Sequence, residues 1–450
     1  MLHGTRGEFS SRVGFVLAAT GSAVGLGNIW GFPTNAAGNG GGAFLAIYLV
    51  LAFLLAYPAL MAELVIGRHT RANIYSALEG LAGNGSTRIA ARITGAYAVL
   101  VASAILGFYT LVAGWVLAQL FAAIGALLGW PAATAWFANP GLGRDLVCAA
   151  LFATLTMLVV SHGIRDGIER WSTRLMPALL VLLLALIAYV LTQPGALVGL
   201  RLYLIPDLSS VLDTGLLVSA LGQAFFSLSL GVGTMLIYAS YLGKGENLPV
   251  VGAMITGVDT LVAFLAGLLI IPAMFVAQRH GIEIYASGEL IAGPDLIFQV
   301  LPALFGAMDQ GGALVAVALF ALLAIAALTS SISMLEVPVA LAVEKTPLPR
   351  GPASWLIGAA IFAGTVVIAR FFDPLFGLVV SATTQYSQPL VGIALCLFAG
   401  WAIHRDHLLA EIRAGDGGGQ GGLFWRIWPP YVRIVCPLLI AATFAHSLLG

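Results

Sequence analysis

The chain has 450 residues, of which 60% are hydrophobic and 9% charged, with 20 basic and 20 acidic side chains and no formal net charge at pH 7. With a mean hydropathy of +0.99, this composition lies outside that of soluble globular domains and makes a lipid bilayer the expected solvent. Zero net charge gives no global field for nucleic acid or an acidic partner, so neither is expected.

From the N-terminus, MLHGTRGEFSSRVGF lacks a short apolar run ending in a small-residue cleavage site, so the first hydrophobic segment is expected to remain as a span. Segments with the roughly 20 apolar residues that a crossing requires fall near 13–37, 42–66, 93–128, 146–162, 173–192, 212–241, 251–277, 312–343, 354–371, 375–403 and 432–449. These eleven predict an all-α integral membrane protein. Alternating the loops between sides puts 16 of the 20 basic residues with the N-terminus and leaves Arg144, Arg201, Arg279 and Arg370 opposite. By the positive-inside rule the N-terminus is cytoplasmic, and the odd span count puts the C-terminus outside.

The first span contains GSAVGLGN at 21–28 and the sixth contains SLSLGVGT at 227–234, and both helices are expected to break there. Five spans separate the two, so the second group of five starts on the opposite side, which is the parity of a 5+5 inverted repeat: 13–192 and 212–403, followed by 432–449. Interrupted helices at matching places in two inverted halves point to the central site of a transporter. Neither GNGGGAF at 38–44 nor GDGGGQGG at 415–422 has the makings of a nucleotide site, the first lacking the lysine of a phosphate loop and the second having linker composition.

Ionisable groups inside spans are costly and need partners, and Glu63, Asp259 and Glu336 lie well inside. In broken helices the freed carbonyls ligate hard cations and the half-helix N-termini attract carboxylates. Ser22, Asn28, Ser227, Ser229, Thr329, Ser330 and Ser331 add oxygen donors near the breaks, and no histidine or cysteine joins them, which favours sodium over zinc or copper. Cys148, Cys396 and Cys436 are scattered in apolar runs and read as core residues.

The runs GSAVGLGNIWGFP (21–33), NGGGAF (39–44), GQAFFSLSLGVGT (222–234), IYASY (237–241) and ALTSSISMLE (327–336) strongly resemble the neurotransmitter:sodium symporter family, whose bacterial members are mostly amino-acid transporters with the LeuT fold. The resemblance spans about 6–403 and implies two sodium sites, one substrate site and alternating access. It implies a first sodium site from the Ala23 carbonyl, Asn28, Ser227 and Asp259. The second would use the carbonyls of Gly21, Val24 and Ala326 with the hydroxyls of Thr329 and Ser330. The substrate's amino and carboxylate groups would meet the breaks around Ala23, Leu26 and Gly27 with the hydroxyls of Tyr109, Ser227 and Ser330, beneath an aromatic lid from Phe226. Its side chain would face Ile105, Ser229, Val232 and Met334, and a cytoplasmic gate would pair Arg6 with Glu344.

Three departures from the family pattern stand out. Gly31 replaces the arginine of N-I-W-R-F-P, Phe376 or Val380 stands where its aspartate partner is expected, and eleven spans replace the twelve of animal members. Gly25 occupies the place where amine-carrying relatives have an aspartate, so the resemblance implies a substrate that keeps its carboxylate. Asp259, where chloride-dependent relatives have an asparagine, implies chloride independence. The expected function is sodium-coupled symport of a neutral, hydrophobic or aromatic L-amino acid across the inner (plasma) membrane, with no enzymatic activity. The alternatives are a carrier of another small zwitterion or amine, and a sodium-binding channel or sensor.

Overall fold

The computed structural model describes residues 7–83, 85–206, 213–286, 289–291, 295–308, 311–403, 411 and 423–449. Among these the chain is helical almost throughout, apart from a hairpin pairing Tyr285–Ala286 with Glu289–Leu290. Among the described residues eight helices are long and apolar enough to cross a bilayer, and Arg12–Ala23 with Gly27–Gly38, bent by 58° at their break, make a ninth. The sixth segment is split into Thr214–Ser227 and Thr234–Ala239. The tenth is helical from Phe372 to Ala402, but its central TTQYSQ stretch makes it more polar than the others. Helix therefore lies in each of the eleven segments expected from hydropathy. The long third segment is one helix, Ser86–Leu127, roughly 60 Å by the rise per residue and so about twice the hydrocarbon thickness.

Both glycine-rich stretches break their helices as expected. In the first span Val24 leaves the helical region for ψ 102, and helix resumes at Gly27 as a π-turn, Gly27–Gly31. In the sixth, Ser229, Gly231 and Gly233 have φ of 52, 76 and 82, a left-handed region open to glycine and costly for serine. A break exposes N–H groups that a lipid-facing segment has no means to satisfy, and Glu63 of the second span satisfies two of them. Its Oε1 accepts from Gly231 N at 2.8 Å and its Oε2 from Leu236 N at 3.3 Å. The tenth span seats directly on this break, since a Cβ on Gly231 would lie 2.1 Å from the Gln388 carbonyl oxygen.

Candidate functional site

The broken first and sixth spans, the third span, the eighth (Gly312–Lys345) and the tenth enclose a cavity of about 380 Å³, within the range of small-molecule sites. All eleven residues expected to touch substrate line it: Ala23, Leu26, Gly27, Ile105, Tyr109, Phe226, Ser227, Ser229, Val232, Ser330 and Met334. Leu26 N donates to the Tyr109 hydroxyl at 3.4 Å. A Cβ on Gly25 would meet Ser330 Oγ at 2.8 Å and the Tyr109 oxygen at 3.3 Å, so this position has no room for an aspartate without displacing the hydroxyls. Phe226 is 42% exposed, its ring over Gly27 and facing the cavity.

Beside the cavity the residues expected to bind the first sodium form a buried oxygen-rich cluster. Asn28 Nδ2 donates to Ser227 Oγ and to Asp259 Oδ1, both at 2.8 Å, and Ser227 Oγ donates to Asp259 Oδ2 at 2.7 Å. Tyr48 extends the cluster, its hydroxyl donating to Ser227 Oγ at 3.2 Å. The residues assigned to the second site also converge. Ser330 Oγ lies 3.4 Å from the Gly21 carbonyl and 3.2 Å from that of Val24, and Thr329 Oγ1 lies 3.1 Å from that of Ala326. The donor sets are neutral oxygens plus one carboxylate, which suits a hard monovalent cation. Among the described residues no group of three or more histidine, cysteine or acidic side chains could hold a metal ion.

The other intramembrane carboxylate, Glu336, accepts from the Tyr241 hydroxyl at 2.6 Å and pairs with the Arg350 guanidinium, whose Nε donates to the Val160 carbonyl at 3.0 Å. Of the expected cytoplasmic gate, Arg6 lies outside the described residues, while Glu344 accepts from Asn73 N at 3.1 Å. The Arg350–Glu336 pair joins the C-terminal ends of the sixth and eighth spans to the start of the ninth, and the sequence did not foretell it.

Among the described residues, those lining the opposite end of the cavity carry no such charges. Gly31 lines it with Phe376 and Val380, the two candidates for the place of the missing aspartate, and with Trp30, Phe108, Val112, Thr384 and Gln388, none of them assigned to the substrate beforehand. Around this mouth, Trp115 contacts Phe298, Phe372 and Phe376 at ring distances of 5.9, 5.7 and 5.9 Å, Trp30 contacts Phe298 at 6.0 Å, and Phe108 contacts Phe376 at 6.1 Å. Phe376, Val380, Thr384 and Gln388 form one face of the tenth span at intervals of four, running through the π-segment Ser381–Ser387. The polar run TTQYSQ was the sequence signal for this face, because polar residues within a span usually turn toward protein or cavity.

Two broken helices around a central cavity flanked by buried sodium-type oxygen clusters define a LeuT-fold secondary transporter of the membrane. Comparison with known proteins agrees: the model of the sodium:neurotransmitter symporter family matches residues 6–146 and 139–449, and the chain belongs to that family. It is 36% identical to the uncharacterized sodium-dependent transporter YhdH of Bacillus subtilis, over 98% of this chain and 97% of that one. An uncharacterized sodium-dependent transporter of Haemophilus influenzae is 32% identical, covering 98% of both chains. Among solved structures, MhsT in complex with L-phenylalanine superposes with a TM-score of 0.82 at 35% identity, covering 98% of this chain and 100% of that one. The protein is thus a multi-pass, sodium-dependent membrane transporter and not an enzyme.

Proposed function

We propose that the protein carries a neutral L-amino acid with an apolar or aromatic side chain, driven by two sodium ions and independent of chloride, by alternating access between two inverted five-span repeats. The observation that carries this reading is the crowding at Gly25. With Ser330 Oγ and the Tyr109 oxygen filling the space an acidic side chain would need, the ammonium of a decarboxylated amine finds no anion. A zwitterion instead brings its own carboxylate to the Leu26–Gly27 break and the first sodium. Ile105, Val232 and Met334 offer no charge to a side chain, and the relative crystallised with L-phenylalanine supports an aromatic substrate. The positive-inside distribution supports a cytoplasmic N-terminus and a C-terminus outside, and the reading takes the plasma membrane as the site of transport.

Chloride independence rests on Asp259. Two sodium ions at about 7 Å in an effective dielectric of about 20 repel by roughly 2 kcal/mol, and a fixed carboxylate bonded to Asn28 and Ser227 offsets that repulsion without a bound anion. The test is uptake of labelled leucine or phenylalanine by purified protein in liposomes under a sodium gradient. Uptake is expected to saturate, to vanish without sodium, to persist with gluconate in place of chloride, and to be impaired by Asp259→Asn in chloride-free buffer. Efficient competition by tryptamine, or collapse of native uptake without chloride, would overturn the respective halves of the proposal.

A further inference from the structure

Gln388 is 2% exposed yet lines the cavity. Its Nε2 donates to the Leu230 carbonyl at 2.8 Å, and since only the NH₂ of a primary amide can donate to a carbonyl, that bond fixes which way the amide faces. Its Oε1 accepts no hydrogen bond among the described residues and is not among the polar atoms sealed off without a partner, so it is open to the cavity. The neighbouring polar groups have no donor left for it: Thr384 Oγ1 donates to the Val380 carbonyl at 2.7 Å and Ser229 Oγ to the Ser22 carbonyl at 3.4 Å. A ligand that covers this open acceptor without donating to it leaves it unpaired at a cost, so the site favours a ligand that supplies a proton over an isostere that lacks one.

We infer that Gln388 is a specificity-determining residue of the substrate site, its Oε1 selecting an aromatic amino acid whose side chain bears an N–H or O–H donor, the indole of tryptophan foremost. This rests on the amino-acid reading above and deepens it. The backbone beneath Gln388 is held in place, because its carbonyl abuts Gly231 and its amide clamps Leu230, so the acceptor is presented from a rigid wall.

The experiment uses the full-length protein in liposomes and measures competition with labelled leucine by tryptophan and by 3-benzothienylalanine, in which sulfur replaces the indole N–H at nearly the same size. Native protein is expected to favour tryptophan by about 5- to 10-fold, the value of one net hydrogen bond. Gln388→Met, which keeps the volume but removes both the acceptor and the bond to Leu230, is expected to bring the two within about twofold, read as the ratio of the two competitors at whatever leucine uptake the variant retains. Equal competition in the native protein overturns the inference by itself, so the test does not depend on the variant folding. A preference that survives in a leucine-competent Met variant overturns it too. Saturable leucine uptake with equal competition defeats this inference alone, whereas no saturable uptake of any neutral amino acid defeats the underlying reading with it.

Discussion

The two ends of the cavity close by different chemistry. At the mouth, Trp30, Phe108, Trp115, Phe298, Phe372 and Phe376 touch ring to ring, and Gly31 leaves open space where a Cβ meets nothing within 4 Å. Toward the N-terminal face the contacts are directional and charged: Glu336 with Arg350 and Tyr241, Arg71 with Glu8, and Glu169 accepting from Ser10 N at 2.8 Å and Ser10 Oγ at 2.6 Å. Aromatic packing is set by buried area and tolerates sliding, whereas a buried ion pair is satisfied in one geometry and penalised in others. The mouth is therefore a graded seal and the N-terminal face a discrete latch. Position 31 holds no arginine and neither Phe376 nor Val380 offers a carboxylate, so this end of the lining holds no ion pair and the space beside Gly31 stays open.

The contrast breaks most visibly at the latch. Glu336→Gln leaves the Arg350 guanidinium, 22% exposed, without its anion. The expected loss is about 3 kcal/mol, the lower end for a severed buried pair, read as a fall in Tm of the purified protein and as greater accessibility from the N-terminal face. A Tm within error of native would show that Arg350 is not held by this pair. At the mouth, Trp115→Ala removes the ring that meets three others and is expected to weaken closure by about 2 kcal/mol, roughly a 30-fold faster release of bound substrate. Trp115→Phe, which keeps a ring, should stay within a few-fold of native, and a mutual failure of both variants would argue against a packed seal.

The smallest effect sharpens the comparison. Cys148, Cys396 and Cys436 are all buried, so Gly31→Cys gives one thiol at the mouth for labelling. Raising ionic strength from about 0.1 M to 1 M with an inert salt is expected to leave its labelling rate unchanged within twofold, because an uncharged seal has nothing for salt to screen. A strong salt dependence would mean that charges govern the mouth after all.

Much of this was legible in the residues. Glycine stretches at 21–28 and 227–234 foretold both breaks, and hydropathy placed a helix in each of the eleven segments, because helix formation and glycine's freedom act over a few neighbours. The residues that the family resemblance assigned to substrate all line one cavity, and those assigned to sodium cluster beside it. Other parts were not legible. Gln388 went unassigned although TTQYSQ marked the tenth span as unusual, since a polar face in a span does not say which cavity it turns toward.

Sequence alone determined that this chain dissolves in a bilayer, where its helices lie, where two of them break, and that Glu63, Asp259 and Glu336 would each need a partner. Those are consequences of local composition and of the cost of an unpaired charge in hydrocarbon. Only the tertiary structure decided the partners: Glu63 meets the N–H groups of Gly231 and Leu236, Glu336 meets Arg350 and Tyr241, and the amide of Gln388 meets the carbonyl of Leu230. Most of these bonds join residues about a hundred or more positions apart. Nothing in the local pattern encodes which distant group will arrive within 3 Å, because that is settled by how the helices pack.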